Sequence, residues 1–196
     1  VVGLSNEFPA GWSNTFKRSI SDVSGTASLT TGANLALAYT SLAGGYYTAP
    51  DRAANSLQKT GSNTYIETQP DGFQFNYDTS GQLATLKNHA GKTWTLNYLS
   101  TPTRVGTVTN PLASTGLSFT YDATPKIKAL YDSAGRVTSF TVSSNRLTTI
   151  TTPELCQTQF AYDGTGQMTA IVSPDGERTT FTYTTGKVTK VTYPDL

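Results

Sequence analysis

Between Glu177 and Tyr183 the chain alternates with a period of two: Thr179, Phe181 and Tyr183 share one face, Arg178, Thr180 and Thr182 the other. Such alternation predicts a strand buried on one side. The pattern returns about every 21 residues through the last two thirds of the chain. One column holds Tyr77, Tyr98, Tyr121, Val142, Tyr162 and Tyr183, and a second, two residues earlier, holds Phe75, Leu96, Phe119, Phe140, Phe160 and Phe181. Both columns are expected on one sheet face and substantially buried. Downstream of each anchor stands an apolar pair: Leu83/Leu86, Val105/Val108, Ile127/Leu130, Leu147/Ile150, Met168/Ile171 and Val188/Val191. Residues three apart face opposite ways in a regular strand. This half of each unit therefore predicts either a bulge or burial on both faces.

Turn signals separate these runs. Tyr162-Asp163-Gly164-Thr165-Gly166 offers two glycines able to take positive φ, and Ser173-Pro174-Asp175-Gly176 is a second turn. Tyr131-Asp132-Ser133-Ala134-Gly135 is a related turn in mid-unit, while residues 99–104 and 110–116 read as looser connections. One unit is thus two strands and two turns, and the array reads as an all-β antiparallel meander with aromatic ladders. Repeats that touch mainly their neighbours build extended structures, which scaffold, wrap or bind.

Residues 70–196 carry about six such units; residues 1–69 lack the clean period and read as an irregular β segment that opens or caps the array. Short strands are expected at Ala27–Leu29, Leu35–Tyr39 and Tyr65–Thr68, and a loop from Gly44 to Asn55.

A net charge of +1 with 14% charged residues gives no electrostatic footprint for nucleic acid or an anionic membrane. No apolar run is long enough to span a bilayer as a helix, and no signal peptide is present. The lone Cys156 allows neither an internal disulfide nor a cysteine metal cluster. A catalytic triad needs a histidine, and His89, the only one, sits in a turn. Asp78, Asp122 and Asp163 recur one residue after the anchor, as side chains that cap turn backbone do. The dense Asp/Gly runs of calcium solenoids are absent. No catalytic, cofactor-binding or metal-binding residue is therefore assigned. Trp12, Tyr46 and Tyr47 lie outside the register and are the candidate exposed binding aromatics.

The Tyr77-Asp78, Tyr121-Asp122 and Tyr162-Asp163 dipeptides, with Gly135-Arg136-Val137-Thr138 and Gly166-Gln167-Met168-Thr169, resemble the Rhs/YD-repeat proteins. Gly11-Trp12, Gly44-Gly45-Tyr46 and Tyr65 leading through Pro70-Asp71-Gly72 resemble the region that begins such an array. Departures are Val142 at an aromatic anchor and the missing Tyr-Asp at Tyr98-Leu99 and Tyr183-Thr184. The resemblance implies a β-strip spiralling into a hollow shell, secreted or at the bacterial cell surface, which encloses a C-terminal toxic domain in bacterial members. Its partner would be the rest of its own longer polypeptide. The aspartate-containing self-cleavage segment of some members has no counterpart, and Asp71 and Asp175, in repeat turns, receive no cleavage role. The expected function is that of a non-catalytic shell segment that encloses or displays a linked domain. The alternative is a cell-surface adhesion or carbohydrate-binding module. The run Thr192-Tyr193-Pro194-Asp195-Leu196 matches Val172-Ser173-Pro174-Asp175-Gly176 in its Pro-Asp turn signal, so the edge around Val188–Thr192 is expected to pair with more chain, another copy or a partner.

Overall fold

The computed structural model describes residues 7–51, 53–100, 103–112 and 116–194. It is all-β: eighteen strands, joined by turns and one 3-10 turn at Ala43–Gly45, with no α-helix among the described residues. Two compact units are present, one formed by Ser13–Ser118, the other by Glu7–Trp12 with Phe119–Leu196. The boundary expected after residue 69 therefore falls inside the first unit.

In that unit the strands are β1 (Ser19–Val23), β2 (Thr26–Thr30), β3 (Ala36–Ser41), β4 (Tyr46–Thr48), β5 (Ser56–Lys59), β6 (Tyr65–Thr68), β7 (Gln74–Tyr77), β8 (Leu83–Lys87), β9 (Thr93–Ser100) and β10 (Thr103–Thr109). Each pairs antiparallel with the next in chain order. Leu117 and Ser118, which open β11 (Leu117–Tyr121), pair with Val108 and Thr107. The N-terminal region is thus as regular as the array. The expected loop at 44–55 contains β4, and residues 99, 100, 103 and 104 lie in strands rather than a loose connection. β1 also bonds away from β2: the Ile20 N–H donates to the Gly81 carbonyl at 2.8 Å, and Ser19 bridges Gln82. A Cβ on Gly81, which holds φ +77°, would lie 2.0 Å from the Ile20 carbonyl oxygen, so only glycine fits this crossing.

The second unit continues with β12 (Ile127–Tyr131), β13 (Val137–Ser143), β14 (Arg146–Thr151), β15 (Gln157–Tyr162), β16 (Met168–Val172), β17 (Arg178–Thr184) and β18 (Lys187–Thr192), again antiparallel in chain order.

A recurring bulge explains the apolar pairs spaced by three. Tyr162 pairs with Met168 but Ala161 with Ala170, so Thr169 is the extra residue. Ala84, Gly106, Thr148 and Thr189 are extra in the same way. The bulge restores phase, so Met168 and Ile171 stand opposite Tyr162 and Phe160. Both members of Leu83/Leu86 and of Val105/Val108 are buried as a result.

Burial is not uniform along the columns. Phe75, Tyr77 and Leu96 are buried, but Phe119, Phe140, Phe160 and Phe181 are only partly so. The expectation of a substantially buried ladder throughout therefore holds for the first units and fails for the later ones. The sequence pattern reports which face a residue takes, not how much lies over that face.

The turns share one geometry. In 78–82, 88–92, 132–136, 163–167 and 173–177 the first N–H donates to the fifth carbonyl and the fourth N–H returns to the first. The fourth residue takes positive φ: Gly81, Gly91, Gly135, Gly166 and Gly176. Gly164, expected to share this role, does not adopt positive φ. In the turn 152–156 that position is Leu155, at φ +66° and 80% exposed. A left-handed leucine costs roughly 1–2 kcal/mol, and glycine gives back part of that through unfolded-chain entropy. Leu155→Gly should therefore raise stability in urea unfolding by about 0.5–1 kcal/mol. A loss of stability would show that the leucine side chain contributes packing there.

Candidate functional site

The tyrosine column has a chemical task that follows from the bulge. Tyr98, Tyr162 and Tyr183 each donate their hydroxyl to a backbone carbonyl fifteen residues earlier: Leu83 at 2.7 Å, Leu147 at 2.9 Å and Met168 at 2.8 Å. Each acceptor is the first residue of an apolar pair, next to the bulged residue. Ladder pairing is interrupted at a bulge, and the phenol of the following unit supplies a donor there. Tyr183→Phe should cost about 0.5–1.5 kcal/mol by chemical denaturation. Unchanged stability would mean that water serves the Met168 carbonyl equally well.

The aspartates cap turns. Asp163 Oδ1 accepts the N–H groups of Thr165, Gly166 and Gln167 at 2.9, 2.8 and 3.0 Å, and Asp78, Asp122 and Asp132 repeat the arrangement. The hydroxyl of Thr165 and the guanidinium of Arg136 hold the Asp163 and Asp132 carboxyls below the usual range. A carboxylate lowered on folding stabilises above its unfolded value, about 4, and that contribution fades as pH falls through the folded value. Melting temperature followed from pH 7 down to pH 2 should fall less for Asp163→Asn than for the parent chain. Superimposable acid limbs would remove the carboxylate from the account.

Asp71 bonds the Phe73 N–H, Asp175 accepts the Ser173 hydroxyl, and His89 lies exposed in the turn 88–92. Among the described residues no three His, Cys, Asp or Glu side chains gather as metal ligands would.

The sequence-selected aromatics separate. Tyr46 is exposed at 54%. Tyr47 is buried instead, its hydroxyl 2.6 Å from Asp22 Oδ2; burial and that carboxylate push its phenol up. Trp12 is partly buried, edge-on to Phe160 with centroids 5.0 Å apart, its indole N–H 3.1 Å from the Tyr162 hydroxyl. Tyr47 and Trp12 are thus packing residues and do not form an exposed platform. Trp12 left the repeat register because its segment lies against Phe160 and Tyr162, and Tyr47 because it belongs to β4, a short strand paired between β3 and β5 ahead of the array.

Two residues the sequence reading did not single out form the most buried polar cluster of the first unit. Arg18 Nη2 lies 2.7 and 2.6 Å from the two Glu67 oxygens, and its guanidinium stacks over Phe75 at 3.9 Å. Tyr77 donates to Glu67 Oε2 at 2.7 Å and Asn55 to Oε1 at 2.6 Å, so both carboxylate oxygens have partners. Closed to solvent on all sides, Glu67 offers a reactant nothing; its role is to fasten β1 to β6 and β7. The available signal was a glutamate at an inward position of a period-two strand, next but one to Tyr65.

In the second unit, Glu7–Trp12 runs across successive strand pairs as a strap. The Ile127 N–H donates to the Glu7 carbonyl at 2.8 Å, the Ala10 N–H to the Asn145 carbonyl at 3.0 Å, and Trp12 reaches Phe160 and Tyr162. The segment ends in a turn, in which the Trp12 N–H donates to the Pro9 carbonyl at 3.0 Å and Gly11 takes φ +82°.

Residues 143–178 and 162–195 match the RHS Repeat family. Over residues 143–195 the chain carries RHS repeats. The two matches start 19 residues apart, close to the spacing of the bulged hairpins, and cover β14 to β18 with the bulges at Thr148, Thr169 and Thr189. A search of curated proteins finds no match to the chain. The RHS repeat is a structural repeat, and the geometry shows its physical basis: a bulged hairpin, a tyrosine that caps the preceding bulge and an aspartate that closes the turn.

Proposed function

We propose that this chain is a segment of a shell wall that encloses or displays a linked domain of the same polypeptide. The observation that carries the reading is the bulge. It sets five of the six apolar pairs on the aromatic face, so repetition yields a wall with one apolar face and one threonine-rich face. A wall with distinct faces suits a container, and the saturated Glu67 and the capping aspartates are structural in the same sense. A toxic cargo, a bacterial source and a place outside the cell or on its surface belong to this proposal, as the family resemblance implies them. The adhesion alternative keeps only Tyr46 of its three aromatics.

Limited proteolysis of the parent polypeptide, read by mass spectrometry, tests enclosure. Cuts in the linked domain should wait until the wall itself is unfolded or cut. A linked domain cleaved at the rate of its isolated form would contradict the proposal, and glycan-array binding abolished by Tyr46→Ala would support adhesion instead.

A further inference from the structure

The chain holds three Asp-Gly pairs, Asp71-Gly72, Asp163-Gly164 and Asp175-Gly176, each in a turn between strands. At such a pair the main chain can rearrange. The glycine nitrogen attacks the aspartate Cγ and loses its proton, a carboxyl oxygen leaves as water, and a five-membered imide closes. Water then opens the imide at either carbonyl, giving back aspartate or leaving isoaspartate, whose main chain is one methylene longer. No electron changes hands, and the water lost in the first step is regained in the second. Glycine puts no side chain in the way of the attack. The carboxyl must be protonated, because an ionised one has no oxygen that leaves as water.

The three carboxyls are held differently. Asp163 Oδ1 accepts the N–H groups of Thr165, Gly166 and Gln167 and the Thr165 hydroxyl, the last at 2.7 Å. Asp175 accepts the Ser173 hydroxyl. The hydroxyls of Thr165 and Ser173 hold these two carboxyls below the usual range, so their protonated form is scarce. Asp71 is exposed and accepts a single bond, from the Phe73 N–H at 3.0 Å. Gln69 heads its turn where Ser173 heads the other, and gives Asp71 no hydrogen bond among the described residues. The glycine nitrogens do not separate these two pairs. Gly72 and Gly176 both donate to the carbonyl that heads the turn, at 2.9 and 3.0 Å, and both take positive φ.

We propose that Asp71 is where this chain forms isoaspartate, and that the hydrogen bonds on Asp163 and Asp175 protect the other two pairs. The consequence falls on β6 and β7, which the Asp71 turn joins. Glu67 stands opposite Phe75 and Tyr65 opposite Tyr77 across that hairpin. A methylene added between them moves the Gly72 N–H off the Gln69 carbonyl and loosens the hairpin that carries Glu67 and Tyr77.

The test holds the full chain at mildly acidic pH and body temperature for several weeks, then locates isoaspartate by peptide mapping with electron-transfer fragmentation. Position 71 should accumulate it at least about threefold faster than positions 163 and 175. In urea the turn bonds are gone, and the three Asp-Gly pairs should converge. Ser173→Ala should raise the rate at position 175 in the folded chain toward that at position 71, with circular dichroism to check the fold. Absence of isoaspartate at 71, or equal rates at the three positions in the folded chain, overturns the proposal. The same ranking in urea also overturns it, by assigning the difference to neighbouring sequence. An unchanged rate at 175 in Ser173→Ala would remove the protective role of the hydroxyl and overturn that half of the proposal.

Discussion

Arg18→Ala is expected to destabilise the first unit by about 3–5 kcal/mol, because it leaves Glu67 charged, buried and short of a partner. Burial alone would lower the Arg18 pKa, but Tyr77 and Glu67 outweigh it and the net displacement is upward. The guanidinium thus stays charged, tied to a carboxylate with no exposed surface. Removing one partner is costly because the other has no water to fall back on. Removing both is a different experiment: Arg18→Met with Glu67→Leu removes both charges and should cost less than Arg18→Ala, the remaining loss coming from the Tyr77 hydroxyl and the Asn55 amide, which lose their acceptor. Urea unfolding of the two single variants and the double variant forms a cycle. If Arg18→Ala costs under 1 kcal/mol, β1 is held by its pairing with β2 and by Ile20, and the ion pair adds little.

The second large effect concerns repeat-equivalent positions. Leu147 and Val188 open apolar pairs two units apart but differ in exposure, 1% against 49%. Leu147→Ala should cost about 2–5 kcal/mol, since it removes a fully enclosed side chain. Val188→Ala should cost under about 1 kcal/mol, because the side chain is half in water already. Equal losses would mean that the aromatic face is covered as thoroughly at β18 as at β14.

These two experiments mark what the sequence could and could not convey. Strand and turn chemistry is local, so the period-two runs, the Asp-capped turns and the Phe/Tyr columns were legible from residues alone. The spacing of three in Met168/Ile171 announced an irregularity, and pairing was needed to choose a bulge over two-sided burial. Residues that act across the array were hidden. Arg18 meets Glu67 and Tyr77 only once β1 is placed, and nothing around Arg18 marks it as inward. Trp12 and Tyr47 looked exposed because they broke the repeat, whereas Trp12 lies against Phe160 and Tyr162 and Tyr47 packs from β4 beside Tyr65 and Asp22. Leu155 was equally obscure, since a leucine gives no sign that its backbone is left-handed.

The central claim is that one extra residue per unit keeps both apolar columns on a single face. Cross-strand nuclear Overhauser contacts in isotope-labelled chain test it directly at β15 and β16. The account predicts that Phe160 faces Ile171 and Tyr162 faces Met168. An unbroken ladder extended from Phe160 would instead set Tyr162 opposite Thr169, and that contact pattern would contradict the claim.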